Sequence, residues 1–282
     1  MKQDKSDLAE ADFNRAVAID QKYATQIRSL KTLANVEKIL GKNKQTAATT
    51  SKPAASQAPT VTQPTVSSSA SKPADFQKLG TDRMIVGDTD GAIAQYSACI
   101  RQFGNVGTYD CYISRAFAYK QKGSAELAFA DLAKAIEIDG VSARAYYQRA
   151  EMYYSMNEYA KSIPDYSAAI KADPKQMSTL FARGIAYQRL DKHSLALLDF
   201  TEAIRLYPSA NYYAFRGMSH KALKNNDDAF ADFAIAISKD PKNYTAFYHR
   251  GTLHLSKGDR DKAVADFRSA DRGKTGFPKS KI

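Results

Sequence analysis

The sequence of 282 residues contains no tryptophan, only two cysteines and only four histidines. The two cysteines, Cys99 and Cys111, are too few for a disulfide-rich scaffold or for a zinc site made of cysteine alone. His249 and His254 are five residues apart, which is the wrong interval for two ligands on one helix face. We therefore expect no metal and no cofactor, and a packed, satisfied role for His220 and for His254.

The sequence also lacks long apolar runs and catalytic motifs. No run reaches the roughly 18 apolar residues that a membrane-spanning helix needs. The N-terminal residues have no basic segment followed by an apolar one, so we expect no secretory signal in this chain. No serine lies in a nucleophile-elbow context, and the GKT triplet at 273–275 lacks the upstream glycine of a phosphate loop. These absences predict that the chain is not an enzyme.

Charge is not concentrated in one place. Lys and Arg number 41 against 30 Asp and Glu, which gives a net charge of +11. Residues 1–72 carry 11 basic and 6 acidic side chains, and 73–282 carry 30 and 24, so the two parts contribute +5 and +6. Because the excess is spread over both parts, nucleic-acid binding through a basic surface is a weaker hypothesis than protein binding.

Residues 43–74 form a distinct segment, rich in Ser, Thr, Ala and Pro and without any acidic or aromatic residue. Such a composition buries too little apolar surface to offset the entropy of ordering, and it predicts a disordered linker. A proline-rich ligand for a partner domain is the alternative. Linkers of this kind are typical of bacterial proteins, so we expect a bacterial cytoplasm or cell envelope, with the compartment itself undetermined.

Downstream of this linker the sequence repeats. Small anchor residues recur 33 to 36 residues apart, at Ala92, Ala128, Ser162, Ala196, Ala229 and Ala263. Within a period, apolar residues follow helical spacing twice, separated by a turn such as the one at Asn157. Asp173-Pro174 and Asp240-Pro241 then end the second helix, because the residue before proline disfavours helix. A fixed period of about 34 residues predicts a chain of stacked helical hairpins.

The residues that recur in each repeat resemble the pattern of the tetratricopeptide repeat (TPR) family, and several positions match in the same register. The leading aromatic position holds Phe76, Tyr112, Tyr146, Leu180, Tyr213 and Phe247. The small position holds Gly80, Ala116, Ala150, Gly184, Gly217 and Gly251, and the second-helix aromatic position holds Tyr96, Leu132, Tyr166, Phe200, Phe233 and Phe267. A further aromatic position holds Tyr119, Tyr153 and Tyr187 in three repeats. The other three repeats depart from the family pattern there, with Arg83, His220 and His254. The resemblance implies an all-α superhelix, a TPR solenoid of about six repeats.

The resemblance also divides the chain. We expect the TPR array at 75–272 and a basic tail at 273–282. The pattern of residues 1–42 predicts the second half of a repeat followed by an amphipathic capping helix. We interpret this segment as the end of a truncated upstream array. A fragment of a longer protein, a downstream start codon and a half-repeat docked on the main array are all compatible with this pattern.

One departure from the family pattern recurs within the chain. Five repeats carry an arginine where the family has leucine, and an aspartate follows each arginine by 16 residues. The pairs are Arg115 with Asp131, Arg149 with Asp165, Arg183 with Asp199, Arg216 with Asp232, and Arg250 with Asp266. The first repeat lacks both residues, having Leu79 and Gln95. Joint presence and absence predict a partly buried ion pair within each hairpin that orients the helices, with a solvated pattern inherited by duplication as the alternative.

The first helix of each repeat has a second stripe of residues beside its buried face. This stripe is more apolar than a face exposed only to solvent should be. The resemblance implies that this stripe lines a concave groove that binds a peptide. The predicted groove residues are Ile113, Phe117, Lys120, Arg144, Tyr147, Gln148, Glu151, Tyr154, Phe181, Ile185, Gln188, Arg189, Met218, Lys221, Tyr248, His249 and Leu255. Large amphipathic aromatics suit partner recognition. The alternative is that they pack against the adjacent repeat.

The favoured function is a non-enzymatic scaffold that binds a peptide or protein segment in this groove. A substrate-selecting or regulatory region of a larger enzyme is the alternative. The Lys and Asn residues with which chaperone-binding members of the family hold a terminal carboxylate are not reproduced, which argues against that ligand. The sequence leaves open the partner, the oligomeric state and whether Cys99 and Cys111 form a disulfide.

Overall fold

The structure, a computed structural model, describes residues 70–275, with side chains as far as Arg272. The predicted half-repeat and capping helix at 1–42 lie outside the described residues. The same holds for 43–69 of the predicted linker and 276–282 of the predicted tail.

All regular structure in residues 70–275 is helical, and no strand occurs there. The helices are α1 (Pro73–Ile85), α2 (Thr89–Phe103), α3 (Tyr109–Gln121), α4 (Ala125–Ile138), α5 (Ala143–Ser155), α6 (Tyr159–Ala172), α7 (Met177–Arg189), α8 (His193–Leu206), α9 (Ala210–Ala222), α10 (Asn226–Lys239), α11 (Tyr244–Ser256) and α12 (Arg260–Thr275). The prediction of an all-α fold is confirmed.

The described residues belong to two compact units, 70–239 and 240–275. In the first unit the helices pack in hairpins, α1 with α2 through α9 with α10, and each second helix packs on the first helix of the next hairpin. In the second unit α11 packs on α12. The packing of α4 on α5 is less extensive than that of α2 on α3 or of α6 on α7.

Each hairpin core is built around the small residue that the sequence places on the first helix. A Cβ on Gly184 would lie 2.6 Å from the ring of Phe200 on the facing helix. Phe200 is fully buried, so the ring has no room to retreat. Glycine therefore permits the close approach of α7 and α8, and a larger residue there would force the helices apart.

The first helix begins two residues earlier than predicted, because Pro73 and Ala74 belong to α1 and not to the linker. Proline is well suited to the first turn of a helix, where its missing N–H would have no partner. The Asp75 carboxylate accepts hydrogen bonds from the backbone N–H groups of Ser71 and Lys72, both at 2.9 Å, and closes this turn.

Candidate functional site

All five predicted arginine–aspartate pairs meet within their hairpins. In each, the guanidinium donates two hydrogen bonds, with Nε 2.7–2.9 Å from Oδ2 and Nη2 2.7 Å from Oδ1. The aspartate side chains are only 4–8% exposed, whereas the arginines are 18–25% exposed. A bidentate pair fixes both distance and orientation, so the first and second helices of a hairpin are held in one register.

The surroundings of the pairs keep the arginines charged. Hydrogen bonding to the aspartate raises the pKa of Arg149, and the same cause raises the pKa of Arg183. Burial raises the pKa of Asp199, although Arg183 opposes that change. Each guanidinium also lies over an aromatic ring of its own first helix, for example Arg216 at 5.5 Å from the ring centre of Tyr213.

Some arginines also reach the preceding hairpin, which the sequence argument missed. Arg115 donates to Ser97 Oγ at 3.0 Å and Arg183 to Ser167 Oγ at 2.9 Å. These hydroxyls follow directly after the second-helix aromatic residue. Ala133 holds that position in the second hairpin, so Arg149 has no hydroxyl there to bond. A hydroxyl one residue after that aromatic is the sequence signal that would have revealed the link.

A cavity of about 230 Å³ opens between α3 and α5, on the predicted groove stripe. Its floor is apolar, since Ala116, Leu132 and Met152 are at most 4% exposed. Phe117 lies at its wall and is 45% exposed. The remaining lining residues are Lys120, Tyr147, Gln148 and Glu151. The structure thus brings five predicted groove residues together around one apolar recess.

Ile113 does not take part in this recess. Its side chain is 0% exposed and packs in the core with Tyr112 and Ala116. A bound peptide therefore has no access to it, and its prediction as a groove residue was wrong. The helix turns this position inward, so the accessible stripe on α3 begins at Phe117.

The cavity has a polar network on its α5 side. The Tyr166 hydroxyl donates a short hydrogen bond to Glu151 Oε1. Burial, and then this bond, strongly raise the pKa of Tyr166, so the phenol stays neutral. Burial and the charge of Glu151 also raise the pKa of Tyr147. Glu151 is thus anchored within its own hairpin.

Two polar contacts tie neighbouring first helices together beside the cavity. Arg144 at the start of α5 pairs with Asp110 of α3 at 2.8 Å, with both side chains more than half exposed. Arg189 of α7 donates to the Tyr154 hydroxyl of α5 at 3.4 Å. These predicted groove residues therefore bridge helices.

Further along, aromatic rings fill the interval between α7 and α9. Phe181 lies 4.8 Å from Tyr212 and 5.0 Å from Phe215, measured between ring centres, and 5.7 Å from Phe200. Gln188 Nε2 donates to the Phe215 carbonyl and to Ser219 Oγ, at 2.8 and 2.7 Å. Phe181 therefore packs against the adjacent repeat, which was the alternative to its lining an open groove.

The remaining predicted groove residues are partly buried. Ile185, Met218 and Lys221 lie on α7 and α9. In the second unit Tyr248 packs on Phe267, with ring centres 5.8 Å apart, and stands edge-on to His249. Leu255 packs on the same small cluster around Phe267.

His220 and His254 occupy their aromatic positions as largely buried side chains. The Nε2 atom of His220 lies 3.9 Å from Oδ2 of Asp232, and that of His254 lies 3.9 Å from Oδ2 of Asp266. Each ring therefore adjoins an arginine–aspartate pair. Within residues 70–272, no group of three or more His, Cys, Asp and Glu side chains has the arrangement of a metal site.

Cys99 of α2 and Cys111 of α3 are joined by a disulfide, with their Cα atoms 6.5 Å apart. Both residues are buried and pack with Phe76. The disulfide connects the first hairpin to the second. None of the helices that the structure describes is both long and apolar enough to cross a bilayer.

Family models for the tetratricopeptide repeat match residues 109–141, 143–176 and 215–276. The chain is a TPR protein. Its fold is the all-α TPR solenoid class. The matched ranges include the second and third hairpins, most of the hairpin formed by α9 and α10, and all of the hairpin formed by α11 and α12. No curated protein sequence matches the chain significantly.

Several solved structures share this fold. A TPR protein from Parabacteroides merdae is 20% identical, with 71% of this chain and 79% of that chain aligned at a TM-score of 0.62. PilF of Pseudomonas aeruginosa is 16% identical, with 73% and 93% aligned at 0.60. YrrB, a TPR protein with an unusual peptide-binding site, is 24% identical, with 64% and 92% aligned at 0.56. TPR proteins are in general protein-interaction scaffolds, and this chain is a scaffold of that class.

Proposed function

We propose that this TPR protein is a non-enzymatic scaffold that binds a peptide or protein segment along the first helices of its 70–239 unit. The cavity between α3 and α5 carries this proposal. An apolar recess of about 230 Å³ is smaller than the roughly 300 Å³ at which small-molecule pockets begin, and it suits one side chain of a longer ligand.

The rigidity of the scaffold supports this role. Bidentate pairs fix every hairpin of the array except the first, and hydroxyl contacts of Arg115 and Arg183 connect neighbouring hairpins. A surface that is already ordered loses little conformational entropy on binding, so more of the contact free energy appears as affinity. The name of YrrB shows that a TPR protein of this fold has a peptide-binding site, which makes a peptide the first ligand to test.

The proposal is tested by selecting peptides that bind the full chain from a displayed random-peptide library. Peptides that enrich are then titrated by fluorescence anisotropy. Phe117→Ala removes an exposed ring from the cavity wall, and we expect it to weaken binding at least about tenfold, as for a central aromatic contact. The unfolding curve should change little, because the ring is 45% exposed.

Tyr207→Ala is the matched control, since Tyr207 is an aromatic residue that is 60% exposed and lies after α8, outside the stripe. It should bind the selected peptides like the parent chain. If no peptide enriches, groove binding is contradicted. It is also contradicted if the Phe117→Ala variant binds the selected peptides as tightly as the parent chain does.

A further inference from the structure

The first hairpin, α1 with α2, lacks the ion pair that the five later hairpins share. Leu79 and Gln95 stand at the positions of the arginine and the aspartate. Gln95 is only 3% exposed, and its Oε1 atom accepts no hydrogen bond from any residue that the structure describes. The bidentate contact that sets the register of two helices in the later hairpins is therefore missing from the first one.

The connection from the first hairpin to the second also differs from later connections. Between α4 and α5, Asp139 Oδ1 accepts a hydrogen bond from the Val141 N–H at 3.2 Å. Between α6 and α7, Asp173 Oδ1 accepts one from the Lys175 N–H at 3.1 Å. Residues 104–108, between α2 and α3, contain neither aspartate nor proline. This loop therefore lacks the side-chain contact that orders those two turns.

Two glycines make the same loop costly to order. Gly104 and Gly107 have positive φ angles of 60° and 67°. Thr108 Oγ1 donates to the Gly104 carbonyl at 2.7 Å, which closes the loop on itself without tying it to another helix. The Val106 side chain is 79% exposed and adds little packing. The conformational entropy that glycine loses on folding must be offset by a contact outside the loop.

The disulfide lies where these features meet. It joins Cys99, near the end of α2, to Cys111, in the first turn of α3, and so encloses the loop. The Pro73 carbonyl oxygen lies 4.0 Å from Cys99 Sγ and 3.8 Å from Cys111 Sγ. Phe76 packs in the same cluster as both cysteines. The start of α1 thus covers the bond, which holds three helices together.

From this arrangement we propose that the Cys99–Cys111 disulfide is a structural lock that docks the first hairpin on the rest of the array, and that the chain completes its fold only where thiols are oxidised. This inference does not depend on which ligand the groove binds. The cross-link removes conformations from the unfolded loop, and it thereby offsets the entropy that the loop loses when α2 docks on α3.

Formation of the bond requires an oxidant for two thiols. The Cys99 and Cys111 thiols each lose a proton as their sulfurs join. The two electrons reduce a second disulfide, that of oxidised glutathione or of a thiol–disulfide oxidoreductase, to two thiols.

Burial makes this bond a permanent lock and not a reversible redox switch. Cys99 is 0% exposed and Cys111 is 1% exposed. A thiolate must reach one of the two sulfurs to open a disulfide, so the first hairpin has to open before the bond can be reduced. Such a bond suits an oxidising compartment, in contrast to a cytosol rich in reduced glutathione.

Hydrogen–deuterium exchange of the full chain, read by mass spectrometry, tests the lock. The oxidised parent chain is compared with the same chain after reduction and refolding in dithiothreitol without oxygen. Reduction should raise the exchange rates of α1 and α2 about a hundredfold, because closing a loop of this size is worth about that factor. Helix α6, in the third hairpin, is the internal control, and its rates should change by less than about twofold.

The double variant Cys99→Ala, Cys111→Ala removes the bond without any reductant. It should show the same rise in the exchange of α1 and α2 as the reduced parent. The reduced parent keeps both side chains, so its result decides the proposal if the double variant fails to fold. Unchanged exchange of α1 and α2 in the reduced parent, or an equal rise in α6, would overturn the lock.

Alkylation tests the permanence of the bond. The native oxidised chain is incubated with excess reduced glutathione, and free thiols are then labelled with iodoacetamide. We expect no labelling of Cys99 or Cys111 until urea is added, because both are buried. Rapid labelling without urea would show that glutathione opens the bond in the folded chain, and the assignment as a permanent lock would be wrong.

Discussion

The interval between α3 and α5 is open, whereas the interval between α7 and α9 is filled, although the same repeat positions build both. In α9, Tyr212 and Phe215 project rings that meet Phe181. The corresponding positions of α5 hold Ala145 and Gln148. Ala145 is fully buried in the core with Ile113, whereas Gln148 lines the cavity and Phe117 remains exposed at its wall. The helices α3 and α7 also differ, since α3 has Ile113 and Phe117 where α7 has Phe181 and Ile185. Several changes at equivalent positions therefore distinguish the packed joint from the candidate binding recess.

The open interval is also the less tightly joined one. α4 packs on α5 less extensively than α8 packs on α9, and Arg149 lacks the hydroxyl contact that Arg216 makes across the α8–α9 joint, to Thr201 Oγ1 at 3.4 Å. The candidate binding recess and the less extensively packed joint thus occur at the same place. The ion pair within the hairpin is common to both regions.

The largest expected effect concerns that shared ion pair. Arg149→Leu leaves Asp165, whose side chain is 8% exposed, without its partner. Loss of one partner of a largely buried pair should reduce the free energy of unfolding by about 3 kcal/mol. Urea unfolding followed by circular dichroism measures this loss. Arg183→Leu should cost at least as much.

The double variant Arg149→Leu, Asp165→Leu serves as the control, because it removes the uncompensated charge as well. It should recover much of the lost stability if the pair mainly orients the helices. A double variant that is as unstable as the single one would show that the pair itself supplies the stability.

The next effect separates the two intervals directly. Phe181→Ala should lower the free energy of unfolding by about 2–3 kcal/mol, because its ring packs on three others. Phe117→Ala should change it by less than about 0.5 kcal/mol, since the ring is 45% exposed. Equal losses in the two variants would contradict the contrast between a filled and an open interval.

The smallest effect concerns the hydroxyl contact between hairpins. Ser167→Ala removes the acceptor of Arg183 Nη1 and should cost about 1 kcal/mol. Ala133→Ser supplies the equivalent hydroxyl for Arg149 and should stabilise the joint between α4 and α5 by a similar or smaller amount. Urea midpoints of the two variants should move in opposite directions. Shifts of the same sign would show that this contact does not distinguish the two joints.

Much of the fold followed from repetition in the sequence. The position of each helix and the small residue opposite each second-helix ring recur with the period, so each repeat supports the reading of the others. The pairs such as Arg115 with Asp131 were predictable for the same reason, because both members are present or absent together. The start of α1 at Pro73 was missed, since composition alone assigned that proline to the linker.

The candidate site was only partly predictable, because exposure depends on neighbours that lie about 34 residues away. Spacing along α3 placed Ile113 and Phe117 on one stripe, yet the first is fully buried and the second is 45% exposed. Phe181 looked like a groove residue in isolation, but the rings of α9 cover it.

The amino-acid sequence by itself determined the period, the helical hairpins and the pairing of arginine with aspartate within five of the hairpins. These are local properties, set by residues up to about one repeat apart and reinforced by repetition. Only the tertiary structure decided which parts of the stripe are open and where the cavity lies. The reason is that side-chain volume is summed across two facing helices, and a recess exists only where that sum falls short of the space between them.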